Sequence, residues 1–169
     1  VKGTLRIEHF TIGSMYLKSL DDDLLKHAGQ LSVATETIEN GLWLWNEKED
    51  KDAGMKALKI ARRVVLANPL SRVLLRLTAL LEEDFGEIEV ALKHWRTVSA
   101  GLPKGTSQWF ESRFKVISIL AAIEPSKAKE LLLQHHALYP TYATPPLDSK
   151  FRELERRLAQ LVSTSETRQ

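Results

Sequence analysis

A repeated spacing of alanine and proline is the feature that most constrains the fold of this chain. At three places a proline follows an alanine by twelve residues: Ala57 and Pro69, Ala91 and Pro103, and Ala128 and Pro140. Equivalent positions recur after 34 residues from the first pair to the second, and after 37 residues from the second to the third. A period of about 30 to 40 residues is typical of stacked supersecondary repeats. The spacing therefore predicts a repeat architecture.

Composition limits the classes of function. The chain has 169 residues and no cysteine, so it can bury its own core but cannot contain a disulfide, a catalytic thiolate or a cysteine-ligated zinc. The net charge of +2 is too small for strong sequence-wide attraction to nucleic acid. No apolar run approaches the roughly 18 residues that span a bilayer. We expect a cytoplasmic protein by default, although the first residue is valine and a native N-terminus can be missing.

Apolar periodicity predicts helices from residue 21 onwards. The first takes Ser19 or Asp21 as its N-cap, and its apolar positions advance by steps of four and three: Leu24, Ala28, Leu31, Thr35, Ile38, Leu42 and Trp45. Gly41 predicts either a bend or a close helix contact. Five more helices are expected over about residues 52–67, 71–85, 87–100, 107–124 and 127–139, with Ser107 as an N-cap and Pro125 and Ser126 in a turn. Their apolar stripes include Met55, Val73, Val90 and Leu138.

These helices predict three hairpins within residues 21–140, at about 21–69, 70–103 and 107–140. Residues 1–20 form an N-terminal extension, for which a short strand and an extended docking arm are both open. A C-terminal helix at 146–162 has one narrow apolar stripe opposite a charged face, so it can cap the last hairpin. Residues 163–169 are expected to be a disordered tail.

The hairpins resemble the tetratricopeptide repeat (TPR) family. In its second helix that family has a small residue, a large apolar residue four positions later and a proline after the helix, as at Ala91, Trp95 and Pro103. Two other sets follow this pattern wholly or in part: Ala128, Leu132 and Pro140, and Ala57, Ala61 and Pro69. Ala79 matches the small residue of the first helix. The resemblance implies an all-α, right-handed array of antiparallel helical hairpins, with a generic antiparallel helix bundle as the alternative.

The resemblance also implies a concave groove lined by the first helices. Arg76 and Arg113 are equivalent in the 37-residue offset, and Asn46 falls at a groove position of the first hairpin. Paired guanidinium groups suit an acidic or carboxylate-bearing peptide. We therefore expect a protein interaction module whose partner is another protein or peptide.

Two other functions stay open. The chain can be an accessory helical domain of a larger enzyme or assembly, without a ligand of its own. It can also bind nucleic acid weakly through one basic helix face, formed by Lys56, Lys59, Arg62 and Arg63. Nothing in the sequence indicates the oligomeric state.

The chain has no motif for catalysis. It contains no glycine-rich phosphate loop, His-Glu-x-x-His pattern or nucleophile elbow. His135 and His136 are adjacent, so a helix aims them about 100° apart and not at one metal. The cluster of Glu82, Glu83 and Asp84 has no basic counterpart nearby in sequence. We expect no enzymatic activity, no cofactor and no metal.

Overall fold

The structure, a computed structural model, describes residues 2–166. Within that range the chain forms eight α-helices and one short 3-10 helix, and no strand. The helices are α1 (Lys2–Ser19), α2 (Ala28–Lys48), α3 (Lys51–Ala67), α4 (Arg72–Asp84), α5 (Ile88–Ala100), α6 (Ser107–Ile123), α7 (Pro125–Leu138) and α8 (Leu147–Glu166), and the 3-10 helix is Leu24–Lys26. The prediction of an all-α fold is confirmed.

The chain divides into two compact units, residues 1–94 and 95–169. In the first unit, α2 packs against both α1 and α3, and α3 also packs against α4. In the second unit, α6, α7 and α8 all pack against one another. Consecutive helices therefore pair within each unit, whereas the right-handed stacking of hairpins stays a prediction.

Residues 2–19 form a helix, which differs from the strand or extended arm considered from the sequence. Phe10, Gly13 and Leu17 are the buried residues of α1. They lie three and four positions apart and form one helical stripe. A Cβ atom at Gly13 would collide with the side chain of Thr37 in α2, so glycine allows the two helices to approach closely. Packing against α2 thus decides the conformation of a segment whose local pattern is ambiguous.

Helix α2 begins at Ala28, and the predicted start at Asp21 is wrong. Neither Ser19 nor Asp21 caps it; the N-cap position is His27, whose side chain makes no capping hydrogen bond. Ser19 is the last residue of α1. The three aspartates at 21–23 lie instead in the connection between the two helices.

Long-range hydrogen bonds hold this connection out of the helix. Arg63 in α3 donates through Nη1 to the Leu17 carbonyl oxygen at 2.8 Å, and through Nη2 to that of Leu20. Asn68 donates through Nδ2 to the Leu25 carbonyl oxygen at 3.0 Å. These bonds satisfy carbonyl groups that a continuous helix would otherwise pair internally.

The predicted close contact at Gly41 is confirmed. A Cβ atom there would lie 2.5 Å from the Cβ of Ala57 and 2.7 Å from the Cε2 of Phe10. Both distances are shorter than van der Waals contact, so α1, α2 and α3 can approach this closely only with glycine at position 41.

The residues with predicted packing roles divide into two groups. Six are almost fully buried: Ala57, Ala79, Ala91, Trp95, Ala128 and Leu132. The prolines are exposed and follow the ends of α3, α5 and α7: Pro69, Pro103 and Pro140. Burial agrees with a role in packing, but the TPR-like register of these contacts stays a prediction.

Several details of the predicted helices are wrong. Four apolar residues assigned to buried stripes are exposed, because neighbouring helices cover only part of each apolar arc: Met55, Val73, Val90 and Leu138. The N-cap of α6 is Thr106 and not Ser107, since Thr106 Oγ1 accepts a hydrogen bond from the Trp109 amide at 3.2 Å.

Helix α8 continues to Glu166, beyond the predicted end at residue 162. Residues 163–166 therefore belong to this helix, because extending a formed helix fixes only one residue for each new hydrogen bond. Residues 167–169 of the predicted tail lie outside the described residues.

Candidate functional site

The candidate site is a cavity of about 400 Å³ in the second unit, formed by α5, α6, α7 and the α5–α6 loop. Arg96, Lys104 and Arg113 bring three cationic side chains to its lining, which includes no aspartate or glutamate. Trp109, Val116 and Leu138 add apolar surface. A cavity with convergent cations and apolar walls is suited to an anionic ligand that also carries an apolar group.

Arg113 is the most distinctive cation of this cavity. Its side chain is half-buried, and its Nε is a buried atom with no hydrogen-bond partner among the described residues. Burial lowers the pKa of the Arg113 guanidinium below its ordinary value. A partly desolvated donor without an acceptor is energetically unfavourable, so an anion in the cavity would relieve that penalty.

His135 also lines the cavity, and it contains a second buried polar atom without a hydrogen-bond partner among the described residues. It is 1% exposed, and its Nε2 lies 2.8 Å from the Tyr142 carbonyl oxygen. That oxygen can only accept, so Nε2 carries the proton, and Nδ1 has no partner among the described residues. Burial lowers the pKa of His135, with the charges of Arg113 and His136 adding to the effect. His135 is therefore a neutral hydrogen-bond acceptor near neutral pH.

Aromatic rings hold His135 in place. Its imidazole stacks on Phe151 with the ring centroids 4.5 Å apart, and Trp109 stacks at 5.8 Å. Phe110 and Tyr139 complete the cluster at 5.8 Å and 5.4 Å. These contacts make this side of the cavity a packed wall, which favours a preformed site.

The predicted peptide-binding residues are divided between the units. Arg113 lines the second-unit cavity. Arg76 is a half-buried residue of α4 in the first unit, and Asn46 is exposed near the end of α2. Within the second unit, the structure brings Arg113 together with Arg96, Lys104 and His135. These three come from separate segments with no shared local pattern, so the sequence offered no signal for them.

The acidic cluster at the end of α4 does have basic partners, contrary to the sequence interpretation. Glu82 is fully buried and lies 3.3 Å from Arg62 Nε through Oε1, and 2.7 Å from His94 Nδ1 through Oε2. Arg62 also pairs with Glu87, and this hydrogen bond is the main cause of its raised pKa. The partners lie 20 and 12 residues away in sequence, so local inspection missed them.

The same contacts change the interpretation of the basic face of α3. Arg62 pairs with two glutamates, and Arg63 pairs with Asp22 at 2.6 Å in addition to two backbone carbonyls. Only Lys56 and Lys59 of the four residues proposed for nucleic acid are exposed without a hydrogen bond or ion pair in the described part of the chain. Weak nucleic-acid binding through this face stays a prediction.

The described residues contain neither a metal-binding cluster nor a membrane-spanning helix. No group of three or more histidine, aspartate or glutamate side chains is placed to hold a metal ion. Residues 2–166 also contain no helix with the length and apolarity needed to cross a membrane.

Comparisons with protein-family models, curated proteins and solved structures found no match to this chain.

Proposed function

We propose that this chain is a protein interaction module that binds an acidic peptide segment in the second-unit cavity. The observation that carries the proposal is Arg113, a half-buried arginine with an unpartnered Nε in a cavity lined by three cations and no acid. The TPR-like register belongs to the same proposal and is supported by the alanine–proline spacing.

A peptide carboxylate fits this cavity on charge and on hydrogen bonding. It would accept from the Arg113 guanidinium and lie close to Arg96 and Lys104, and charge-assisted bonds of this type are about twice as strong as neutral ones. Trp109 and Leu138 provide apolar contact for a neighbouring side chain of the peptide. The ligand class is thus a carboxylate next to an apolar group.

Because Nδ1 of His135 carries no proton, a ligand group that pairs with it must donate a hydrogen bond. A hydroxyl or backbone amide of the peptide can donate to it, which an anion without a proton, such as sulfate or chloride, cannot do. An acidic peptide supplies both the carboxylate and the amide donor.

The direct test is an NMR titration of the ¹⁵N-labelled chain with a short peptide of alternating leucine and glutamate, beside a matched peptide in which lysine replaces glutamate. We expect amide shifts at the residues that line the second-unit cavity with the acidic peptide and none there with the basic one. Equal shifts with both peptides, or acidic-peptide shifts confined to other residues, would contradict the proposal. No binding at millimolar peptide would favour an accessory domain without a ligand.

A further inference from the structure

A second concave surface lies in the first unit, between α1, the 3-10 helix and α3. It has a volume of about 400 Å³. Its floor is apolar and consists of Phe10, Leu17, Leu25, Ile60 and Val64. Four cationic side chains also line it, namely Lys18, Lys56, Lys59 and Arg63, and no aspartate or glutamate does. We call this surface the α1–α3 groove.

The lysines of the α1–α3 groove are available to an external anion. Arg63 is held by Asp22 and by two backbone carbonyls. Lys18, Lys56 and Lys59, by contrast, are exposed and make no hydrogen bond or ion pair within residues 2–166. An apolar floor with unpaired ammonium groups at its edges is complementary to a ligand that is apolar on one side and acidic at its borders.

The length of the groove matches two turns of a helix. Its lining runs from Phe10 to Lys18 on α1 and from Lys56 to Val64 on α3. At a rise of 1.5 Å per residue each wall is about 12 Å long. The anchors of an amphipathic helix at positions i, i+4 and i+7 span about 10.5 Å. Three anchor side chains of one helix face can therefore lie along the floor.

Two residues of α1 fit such a ligand. Met15 lines the groove although its side chain is 70% exposed, and a flexible thioether adapts to apolar surfaces of different shape. Ser14 also lines it, and its buried Oγ has no hydrogen-bond partner among the described residues. That hydroxyl can donate to a carboxylate of the ligand.

We propose that the α1–α3 groove binds an amphipathic helix of a partner protein whose apolar stripe is flanked by acidic residues. The helix lays its apolar anchors on the floor, and its carboxylates pair with Lys18, Lys56 and Lys59. This site shares no lining residue with the second-unit cavity, and it does not depend on the function proposed for that cavity.

The probe is a synthetic helical peptide of about four turns, with leucines at i, i+4 and i+7 and glutamates beside them, and a matched peptide with lysines replacing the glutamates. NMR titration of the ¹⁵N-labelled chain should give amide shifts at residues 10–18 and 56–64 with the acidic peptide. The Lys56→Glu, Lys59→Glu variant should bind it about tenfold more weakly. The control Lys129→Glu, Lys150→Glu, which changes two exposed lysines of the second unit, should bind as the original chain does.

Met15→Gln tests the apolar surface of the groove independently of the lysines, because it changes no charge. Because Met15 is exposed, the variant should fold normally, which circular dichroism checks, and it should weaken binding about tenfold through loss of apolar contact. Leu133→Gln, at a similarly exposed leucine of α7, is the matched control.

Three results would overturn the proposal. The first is equal binding of the acidic and basic peptides. The second is a set of shifts that lies outside the two groove segments. The third is no binding of the acidic peptide at millimolar concentration. Dodecanoate that shifts the groove residues where the peptide fails would identify a site for fatty carboxylates instead. Arg113→Gln should leave peptide binding to the α1–α3 groove unchanged. Failure of this proposal can therefore be distinguished from failure of the proposal for the second-unit cavity.

Discussion

Gly41 of α2 faces Ala57 of α3 so closely that a Cβ atom at position 41 would lie 2.5 Å from the alanine Cβ. Replacing Gly41 with alanine should therefore destabilise the first unit by about 1 to 3 kcal/mol, because the helices must separate to relieve the overlap. Chemical denaturation measures the loss.

Gly29, also in α2, provides the control for this change. A Cβ atom there would meet nothing within 4 Å. Gly29→Ala should leave stability unchanged or raise it by up to about 1 kcal/mol through higher helix propensity. Equal destabilisation by both substitutions would mean that the α2–α3 contact is not as close as described.

Arg63 should determine where α1 ends and α2 begins. Arg63→Ala removes its bonds to the Leu17 and Leu20 carbonyls and its pairing with Asp22, and we expect a loss of about 1 to 2 kcal/mol. Hydrogen exchange should become faster at the C-terminal end of α1 and in the connection that follows. Lys59→Ala, on the same helix but without such bonds, should leave both quantities unchanged.

Glu82 should be needed for the stability of the first unit. Glu82→Ala removes the acceptor shared by Arg62 and His94. Arg62 is partly exposed and keeps its pair with Glu87, which reduces the cost of the substitution. We therefore expect about 1 to 3 kcal/mol of destabilisation. Thermal unfolding measures it. Glu39→Ala, at an exposed residue of α2, should shift the melting temperature little, and an equal shift would contradict the role of the buried cluster.

His135 should make stability depend on pH. Burial lowers the pKa of His135 in the folded chain, so the unfolded chain binds the proton more readily. The free energy of unfolding should therefore be highest above pH 6.5, the ordinary pKa of histidine, and should decrease as the pH falls below that value. Urea unfolding at several pH values checks this. The decline should be smaller in His135→Gln, and identical pH profiles would contradict a neutral His135.

Much of the helical framework could be predicted from local chemistry. Asn68 and Pro69 stop α3 where proline excludes helical geometry at the preceding residue, and Gly86 ends α4 with a positive φ of 81°. The start of α2 could not be predicted, because Arg63 holds the connection from 41 to 46 residues away. The local sequence determines helix propensity, whereas the start of α2 depends on tertiary hydrogen bonds.

The second-unit cavity itself was not predicted, and Arg113 is the one residue of its lining that the sequence analysis named as a peptide-binding candidate. Arg113 was selected by its offset from Arg76, yet its cavity partners Arg96, Lys104 and His135 belong to α5, the α5–α6 loop and α7. Their proximity follows from helix packing, which the repeat spacing alone does not specify. The TPR resemblance implies that the acidic ligand lies in one groove lined by the first helices of several hairpins. We propose binding in a cavity that belongs to the second unit alone.

Binding of a labelled acidic peptide to Arg113→Gln, measured by fluorescence anisotropy, tests the central claim most directly. Arg156→Gln, at an exposed arginine of α8, is the matched control because it removes the same charge. We predict at least about a tenfold rise in Kd for Arg113→Gln, since a charge-assisted bond at a partly buried site is lost, and little change for Arg156→Gln. Equal Kd values for both variants and the original chain would contradict the account.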